Sequence, residues 1–380
     1  MSEIGGSDPG HAGAEARKPR ILMVSANAYP VMGGVETHVH EVAPRVARAG
    51  FDVSILTTDR SGSLPRTELL NGVPTRRVAA YPKERDWYLA PRIYTEISRG
   101  DWDLIHCQGY HTFVPPLAML AALRKRTPYV LTFHSGGHPS ASRNRLRGVQ
   151  RRVLRPFLAH AKRLIAVSDF EAAFFSRELH ISPKKFVTIP NGAAFKDRPD
   201  AVALDAERPL ILSVGRLERY KGHHSLIAAL PALLEIVPGA RLKILGTGQY
   251  EAELRRLAGR SSASDRIEIG SVDPVDRLGM ATALMSASLV ALLSEYEANP
   301  VAVMEALALG RRVLVADTSG LSELATRGLA RAIPFNSSPT EIAKAIAEQL
   351  KTPEPTELSL PTWDDSADRL IDVYRAVLAR

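Results

Sequence analysis

Glu297 and Glu305 stand eight positions apart in the run S-E-Y-E-A-N-P-V-A-V-M-E-A-L-A-L-G at residues 294–310. Asn299 between them is a good N-cap, and Pro300 suits the first position of a helix, where a backbone N–H is not missed. A helix starting there offers unpaired N–H groups and the positive end of its dipole, which together suit a phosphate. Carboxylates repel phosphate, so the two glutamates read better as acceptors for sugar hydroxyls. A helix start flanked by two hydroxyl acceptors points to a nucleotide-sugar site.

Other residues supply matching chemistry, each with a plainer alternative. Arg216 and Lys221 lie five apart in V-G-R-L-E-R-Y-K-G, residues 214–222, between an apolar run and a helical one. Arg would grip a diphosphate in two places and Lys would act as a point charge, although the loop alone could equally be a solvated basic turn. Gly33 and Gly34 follow the first apolar run, where glycines let a backbone approach a phosphate or simply make a tight turn. Gly246-Thr-Gly248 lacks the third glycine and the later acidic residue of a dinucleotide fingerprint, which argues against a nicotinamide enzyme. His134 precedes Ser135-Gly-Gly137 and could orient a sugar hydroxyl or meet the transferring group, or be a structural histidine. His134 and His138 are four apart, but the intervening glycines make a helix improbable and no further ligands complete a metal set, so no metal site is read. Asp101-Trp-Asp103 matches the D-x-D pattern of metal-dependent sugar transferases but precedes a strand, and reads as a polar strand entry.

The elements that must hold these residues are legible from periodicity. Short β-branched runs at 20–26, 52–57, 103–107, 129–134, 163–168 and 186–190, then at 210–215, 241–246, 267–270, 289–293 and 313–316, read as buried strands. Helical-period stretches separate them, so the fold class is α/β, with parallel sheets in βαβ units. The notable residues cluster just after strands, where open parallel sheets bind ligands. The division expected is a disordered tail over 1–18, an N-terminal Rossmann-like domain over 19–195, a linker over 196–209, a C-terminal Rossmann-like domain over 210–360 and a last helix within 361–380. A chain of 380 residues favours two domains, since single cores stop growing near ~250–300 residues.

Bulk properties narrow the partners. No apolar run approaches the ~20 residues of a membrane span, and the first residues carry no signal-peptide core, so a cytoplasmic location is expected. The single cysteine, Cys107, fits a reducing compartment. A net charge of +8 favours anionic partners without choosing among them. Arg143, Arg145, Arg147, Arg151, Arg152, Arg155, Lys162 and Arg163 form a basic stretch in which Leu146, Val149, Val153 and Phe157 keep helical spacing. This reads either as a peripheral contact with anionic membrane over 143–163 or as a surface helix with a basic outer face. No nucleic-acid module or stacking aromatics accompany the charge.

Taken in order, these motifs resemble the GT-B-fold retaining glycosyltransferases of family 4, from about Arg20 to Tyr374. The strongest marks are the E-x7-E pair Glu297/Glu305 and the run G-R-L-x-x-x-K-G from Gly215 to Gly222, supported by Pro190-Asn-Gly192, Ala166-Val-Ser168, Gly33-Gly34 and the helix from Trp363 through Tyr374. The resemblance implies two Rossmann-like domains facing across a cleft, and a sugar moved from a UDP- or GDP-linked donor, with no cofactor and no metal, to a glycan, lipid-linked or small-molecule acceptor such as a cyclitol. It implies that Arg216 and Lys221 hold the diphosphate, Glu305 the ribose, Glu297 the donor sugar, Gly34 the phosphate from the N-terminal side, and His134 the donor-sugar and acceptor site. It further implies same-face attack, with the leaving phosphate helping to deprotonate the acceptor, and a last helix that crosses back to the N-terminal domain.

The chain departs from the family pattern where the usual E-G-F-G is Glu297-Ala-Asn-Pro300. Pro300 has no N–H, so Val301 and Ala302 must supply the phosphate donors. Asn191-Gly192 lacks the frequent following aspartate, and the late Gly-Gly-x-x-Glu loop is Ser319-Gly-Leu-Ser-Glu323. Sugar-nucleotide epimerisation on the same fold, and a non-catalytic nucleotide-sugar-binding or membrane scaffold, are the competing expectations.

Overall fold

Runs such as Leu104–Gln108 and Leu289–Leu292 are buried at every position, and a strand can bury every side chain only when helices cover both faces of its sheet. The computed structural model describes residues 17–31, 33–83, 88–135, 141–193, 204–273, 276–355 and 358–379, with 141–147 as backbone only. The first half contains β1 (Arg20–Val24), α1 (Gly34–Arg48), β2 (Asp52–Asp59), β3 (Thr67–Leu70), β4 (Val73–Ala79), α2 (Arg92–Arg99) and β5 (Leu104–Gln108). It continues through α3 (Val114–Lys125), β6 (Tyr129–Thr132), α4 (Ala141–His160), β7 (Arg163–Ala166), α5 (Asp169–Leu179) and β8 (Phe186–Thr188). The second half contains β9 (Leu210–Val214), α6 (His223–Ile236), β10 (Arg241–Leu245), α7 (Glu251–Arg260), β11 (Ile267–Gly270), α8 (Arg277–Met285) and β12 (Leu289–Leu292). It ends with α9 (Val301–Ala308), β13 (Val313–Ala316), α10 (Ser319–Thr326), β14 (Arg331–Ile333), α11 (Pro339–Lys351) and α12 (Trp363–Leu378).

The strands form two sheets, ordered β3-β4-β2-β1-β5-β6-β7-β8 and β11-β10-β9-β12-β13-β14. Among the described strands every pairing is parallel except β3 with β4, a hairpin that the expectation of purely parallel sheets missed. Its turn is Asn71-Gly72, with φ of 48° and 79°. Asn-Gly is the strongest short-range hairpin signal, because both residues accept the positive φ that such a turn requires. The short β14 was also missed, being three residues long and only partly buried.

In each sheet the strand order reverses once, between β1 and β5 and between β9 and β12. Ligands of open α/β sheets bind beyond the carboxyl ends of the strands at that reversal. Gly33-Gly34 follow β1, Arg216 and Lys221 follow β9, and Glu297 follows β12, so topology places all five at switch points.

The last helix packs on α1. Trp363 and Tyr374 are fully buried in a core shared with Val39, Val42 and Val46, and the Ser366 hydroxyl donates to Pro190 O at 2.7 Å. The two crossings between the halves run together, with Ala193 N donating to Pro361 O at 2.9 Å. Residues 1–16 and 194–203, covering most of the expected tail and much of the expected linker, lie outside the described residues.

Candidate functional site

The loop after β9 is fixed by buried groups. The His223 ring accepts from or donates to Ser213 Oγ at 2.9 Å through Nδ1 and reaches Arg216 O at 3.3 Å through Nε2, which pins the backbone of the expected diphosphate arginine. Gly222 has φ 75°, and a Cβ there would lie 2.1 Å from Leu293 O, so only glycine lets this loop close against β12. Arg216 itself is exposed and donates to the Tyr220 hydroxyl at 2.6 Å. Tyr220 stacks on Tyr296 with ring centroids 4.6 Å apart.

Lys221 is ion-paired with Glu297, and the two side chains are 13% and 12% exposed. Ser294 Oγ donates to the same carboxylate at 2.9 Å, Glu297 N donates to Ser319 Oγ at 2.7 Å, and Gly320 N donates to Glu297 O at 2.9 Å. Glu297 is thus held by both its backbone and its side chain. Gly320 must be glycine, because a Cβ would meet Ala298 O at 1.9 Å.

Glu305, on α9, is 2% exposed and accepts from Arg277 at the start of α8. Burial pushes its carboxyl upward, and the guanidinium draws it back. Arg277 did not stand out in the sequence. The available signal was a cation directly after Asp276, whose side chain caps α8 by accepting from Gly279 N at 2.7 Å. A positive charge is unfavourable at a helix N-terminus unless a carboxylate lies nearby. Both glutamates of the pair therefore face a cation, where the sequence reading placed only sugar hydroxyls.

The helix start differs from the expectation. Pro300, with ψ 116°, is the N-cap, and α9 begins at Val301. Val303 and Met304 donate to Pro300 O, so Val301 and Ala302 head the helix with the amides an anion would take. Asn299 does not cap α9; its side chain accepts from Asn191 N at 3.2 Å, and its carbonyl accepts from Asn191 Nδ2 at 3.0 Å. Proline supplies the extended entry that capping would otherwise provide, which frees Asn299 to bond across to the other half.

Gly33 caps α1, and Gly34 lies opposite Val301, 3.7 Å from a Cβ built on Gly34 to Val301 Cγ2. The glycine turn and the α9 start therefore close on one point from opposite halves. Glu36 folds back over Gly33, its Oε2 only 2.2 Å from where a Gly33 Cβ would stand. Gly246, expected among the donor-binding residues, donates its N–H to Gly270 O, and a Cβ would strike Gly215 O at 1.9 Å. Its place is to let two loops pack.

His134 sits two residues beyond β6 with φ 56° and bonds Gln108 Oε1 at 2.8 Å through Nε2. Its ring lies edge-on to His38, centroids 4.7 Å apart. His38 bonds Asn191 Oδ1 at 3.0 Å, and His106 bonds the Tyr374 hydroxyl at 2.6 Å and Thr132 Oγ1 at 2.8 Å. Burial lowers all three histidines, His38 to about 4 and His106 to about 3. Glu171, fully buried at the first turn of α5, accepts the N–H groups of Ser135 and of Val167, the latter at 2.7 Å, and so holds the loop that carries His134; burial raises its carboxyl to about 8. His38, Gln108 and Glu171 were missed because each lies within an apolar or amphipathic run.

The D-x-D segment is structural: Asp103 accepts from Arg20 N and from Arg17, both at 2.7 Å. In the basic stretch, the side chains of Arg143, Arg145, Leu146 and Arg147 lie outside the described residues, as does His138. Of the remainder, Arg151 pairs with Glu178 at 2.6 Å and Arg155 donates to Leu179 O at 2.8 Å. Leu154 and Leu158 form the inward face of α4, whereas Val149 and Val153 are 59% and 62% exposed. Among the described residues, no helix is long and apolar enough to cross a membrane.

Comparison with known proteins agrees with this geometry. The model of Glycosyltransferase Family 4 matches residues 32–194, and that of Glycosyl transferases group 1 matches residues 195–359. The chain is 30% identical to a phosphatidyl-myo-inositol mannosyltransferase of Mycolicibacterium smegmatis, covering 84% of this chain and 82% of that protein. It is 28% identical to a D-inositol 3-phosphate glycosyltransferase of Nocardiopsis dassonvillei, covering 95% of each. In fold it is similar to a sucrose-phosphate synthase of Thermosynechococcus elongatus, with TM-score 0.77 and 22% identity over 95% of this chain and all of that one. It is similar also to Anabaena HepE in complex with UDP-glucose, with TM-score 0.67 and 19% identity over 95% of this chain and 98% of that one. With both halves matched and the E-x7-E glutamates set at the switch point of the second sheet, the chain belongs to the family 4 glycosyltransferases, transferases of the GT-B fold.

Proposed function

We propose that this glycosyltransferase moves a hexose from a UDP- or GDP-linked sugar to a hydroxyl of an inositol-containing or lipid-linked acceptor, with retention of configuration and without a metal. The pairing of Lys221 with Glu297, on the loop that also carries Arg216, and the approach of Gly34 to the start of α9 carry this reading. Breaking the glycosyl–phosphate bond leaves positive charge on the anomeric carbon and negative charge on the diphosphate. Arg216, Lys221 and the amides of Val301 and Ala302 are positioned to take the second charge, and preorganised donors of this kind act without reorganisation during the reaction. Their positive charges do the work that a divalent cation does elsewhere. Glu297, once Lys221 turns to phosphate, is free to receive a sugar hydroxyl and to face the positive centre. Glu305 receives the ribose hydroxyls in competition with Arg277. No side chain is assigned as a nucleophile, and the leaving phosphate takes the acceptor proton on the same face.

The acceptor class rests on the relatives named for inositol substrates, and on a GDP-mannose:cellobiosyl-diphosphopolyprenol mannosyltransferase of Komagataeibacter xylinus, 25% identical over 95% of this chain. A peripheral contact with anionic lipid through 143–163 has support in exposed Val149 and Val153 beside exposed Arg152. The test is a panel of UDP- and GDP-sugars with inositol, inositol phosphate and phosphatidylinositol, run in excess chelator. Release of nucleoside diphosphate with an α-linked product supports the reading. A β-linked product from an α-linked donor overturns retention, and loss of turnover in chelator overturns metal independence.

A further inference from the structure

His134 is clamped from two sides. On one side Gln108 Oε1 accepts from its Nε2, and the Gln108 amide nitrogen faces His106 at 3.3 Å, which in turn bonds Tyr374 of α12. On the other side stands His38, edge-on at 4.7 Å. His38 is 4% exposed, and among the described residues its Nε2 is buried with no hydrogen-bond partner.

The tautomer of His38 follows from the second half of the chain. Asn191 Nδ2 donates to Asn299 O at 3.0 Å, so the amide is oriented with its oxygen toward His38. An amide oxygen only accepts, so His38 must carry its proton on Nδ1 and leave Nε2 as a bare lone pair. Asn299 Oδ1 secures the arrangement by accepting from Asn191 N at 3.2 Å. Asn191 and His38 belong to the first half of the chain, and Asn299 stands one residue before the Pro300 cap of α9. The segment that carries the donor-site helix therefore sets the protonation pattern of a ring that abuts His134. This gives Asn299, a departure from the family's usual residue, a task of its own.

We infer that His38 is a positioning residue for sugar transfer, held in its Nδ1–H tautomer by Asn191 only while Asn299 is docked, and that it fixes the His134 ring at the transfer site. The inference rests on the proposed function for the place of His134 beside the sugar. When the halves part, Asn191 loses both bonds to Asn299, its amide is free to turn, and His38 loses its fixed acceptor. Among the described side chains, only Gln108 then holds the His134 ring by a hydrogen bond.

The test uses the full-length chain with ¹⁵N-labelled histidine. UDP and GDP serve as binding probes, and UDP-glucose and GDP-mannose serve as donors. Long-range ¹H–¹⁵N spectra are expected to show His38 protonated at Nδ1 when UDP or GDP is bound. Asn191→Ala is expected to lower kcat at least tenfold while the Kd of the nucleotide stays within twofold. Asn299→Ala, which keeps the backbone carbonyl, is expected to lower kcat less, and the double variant no further than Asn191→Ala alone. A His38 protonated at Nε2, a wild-type kcat in Asn191→Ala, a Kd that weakens in step with kcat, or losses that multiply in the double variant each overturn the inference. If Asn191→Ala does not fold, Asn299→Ala carries the kinetic arm, and an unchanged kcat there overturns it. If wild type turns over neither donor, the proposed function fails separately, and the spectra alone decide the tautomer.

Discussion

Lys221 and Glu297 neutralise each other at the mouth of the second sheet, in an ion pair that Ser294 supports from the side at 2.9 Å. The cation proposed for the diphosphate and the carboxylate proposed for the sugar are thus bound to one another. In the proposed reaction an arriving diphosphate would compete with Glu297 for Lys221, and success would release the carboxylate to the sugar.

Replacing Glu297 with Gln removes the charge proposed to face the anomeric centre and frees Lys221. Turnover is expected to fall on the order of 100-fold or more, the scale seen when one preorganised electrostatic partner is lost. Affinity for the nucleoside diphosphate is expected to hold or tighten. Calorimetric titration beside steady-state kinetics separates the two, and wild-type-like turnover in Glu297→Gln removes the assigned role.

Arg277→Ala leaves Glu305 as a carboxylate with 3% side-chain exposure and no guanidinium beside it. Breaking a buried pair from one side costs on the order of 3 kcal/mol, because the remaining charge is stranded. A melting temperature several degrees lower is expected, with much of the loss recovered in Arg277→Met/Glu305→Leu. Equal stability of the single variant and wild type shows that the pair is not coupled.

The buried ionisable groups predict two opposing pH limbs. His38 and His106 have folded values of about 4 and about 3, well below the ordinary value of 6.5, so the unfolded chain takes up protons first as pH falls. Their contribution is present above pH 6.5 and is lost as pH falls from 6.5 toward about 4 for His38 and about 3 for His106, with His38 accounting for on the order of 3 kcal/mol. Glu171 works in the other direction. Its folded value of about 8 lies above the ordinary 4.5, so stability is lost as pH rises from 4.5 to 8. Urea midpoints across pH 4–8 are expected to lose the alkaline decline in Glu171→Gln and part of the acid decline in His38→Asn. An alkaline limb unchanged in Glu171→Gln discards the assignment.

Gly34 and Gly222 are expected to respond differently to alanine. At Gly34 the new methyl meets only Val301 Cγ2 at 3.7 Å, an ordinary contact, so the fold is retained. The methyl nevertheless stands between α1 and the start of α9, where a phosphate would sit, and donor affinity is expected to drop tenfold or more. At Gly222 the methyl would lie 2.1 Å from Leu293 O on a backbone with φ 75°, so the fold itself is expected to suffer. Melting temperature and nucleotide Kd, measured on both variants, distinguish the two kinds of damage.

Much of this was legible because period and position carry it. Eleven apolar runs read as strands lie at eleven of the observed strands, since a strand buried on both faces has few acceptable residues. The Asn71-Gly72 hairpin was also readable, but β3 is short and poorly buried and β4 interleaves exposed Pro74 and Arg76 with buried residues that include Arg77, so the turn had to be noticed first. The E-x7-E pair could be found from residue type and spacing. Its cation partners could not: Lys221 is 76 positions from Glu297 and Arg277 is 28 from Glu305. Asn299 was misread for a physical reason. Local propensity favours Asn as a cap, but Pro300 already supplies an extended entry to α9, and a partner 108 residues away takes the side chain instead.

The paired crossings have a mechanical consequence. Because the chain leaves the first sheet near Ala193 and returns at Pro361 beside it, the C-terminal half is in effect an insertion joined along one short line. Gly192, where a Cβ would lie 2.3 Å from Trp363 N, packs that line tightly. Away from that line the halves touch again, with Phe170 N donating to Glu323 Oε2 at 3.0 Å. Substituting Gly192 would therefore displace one half against the other without touching a single group proposed to meet the sugar.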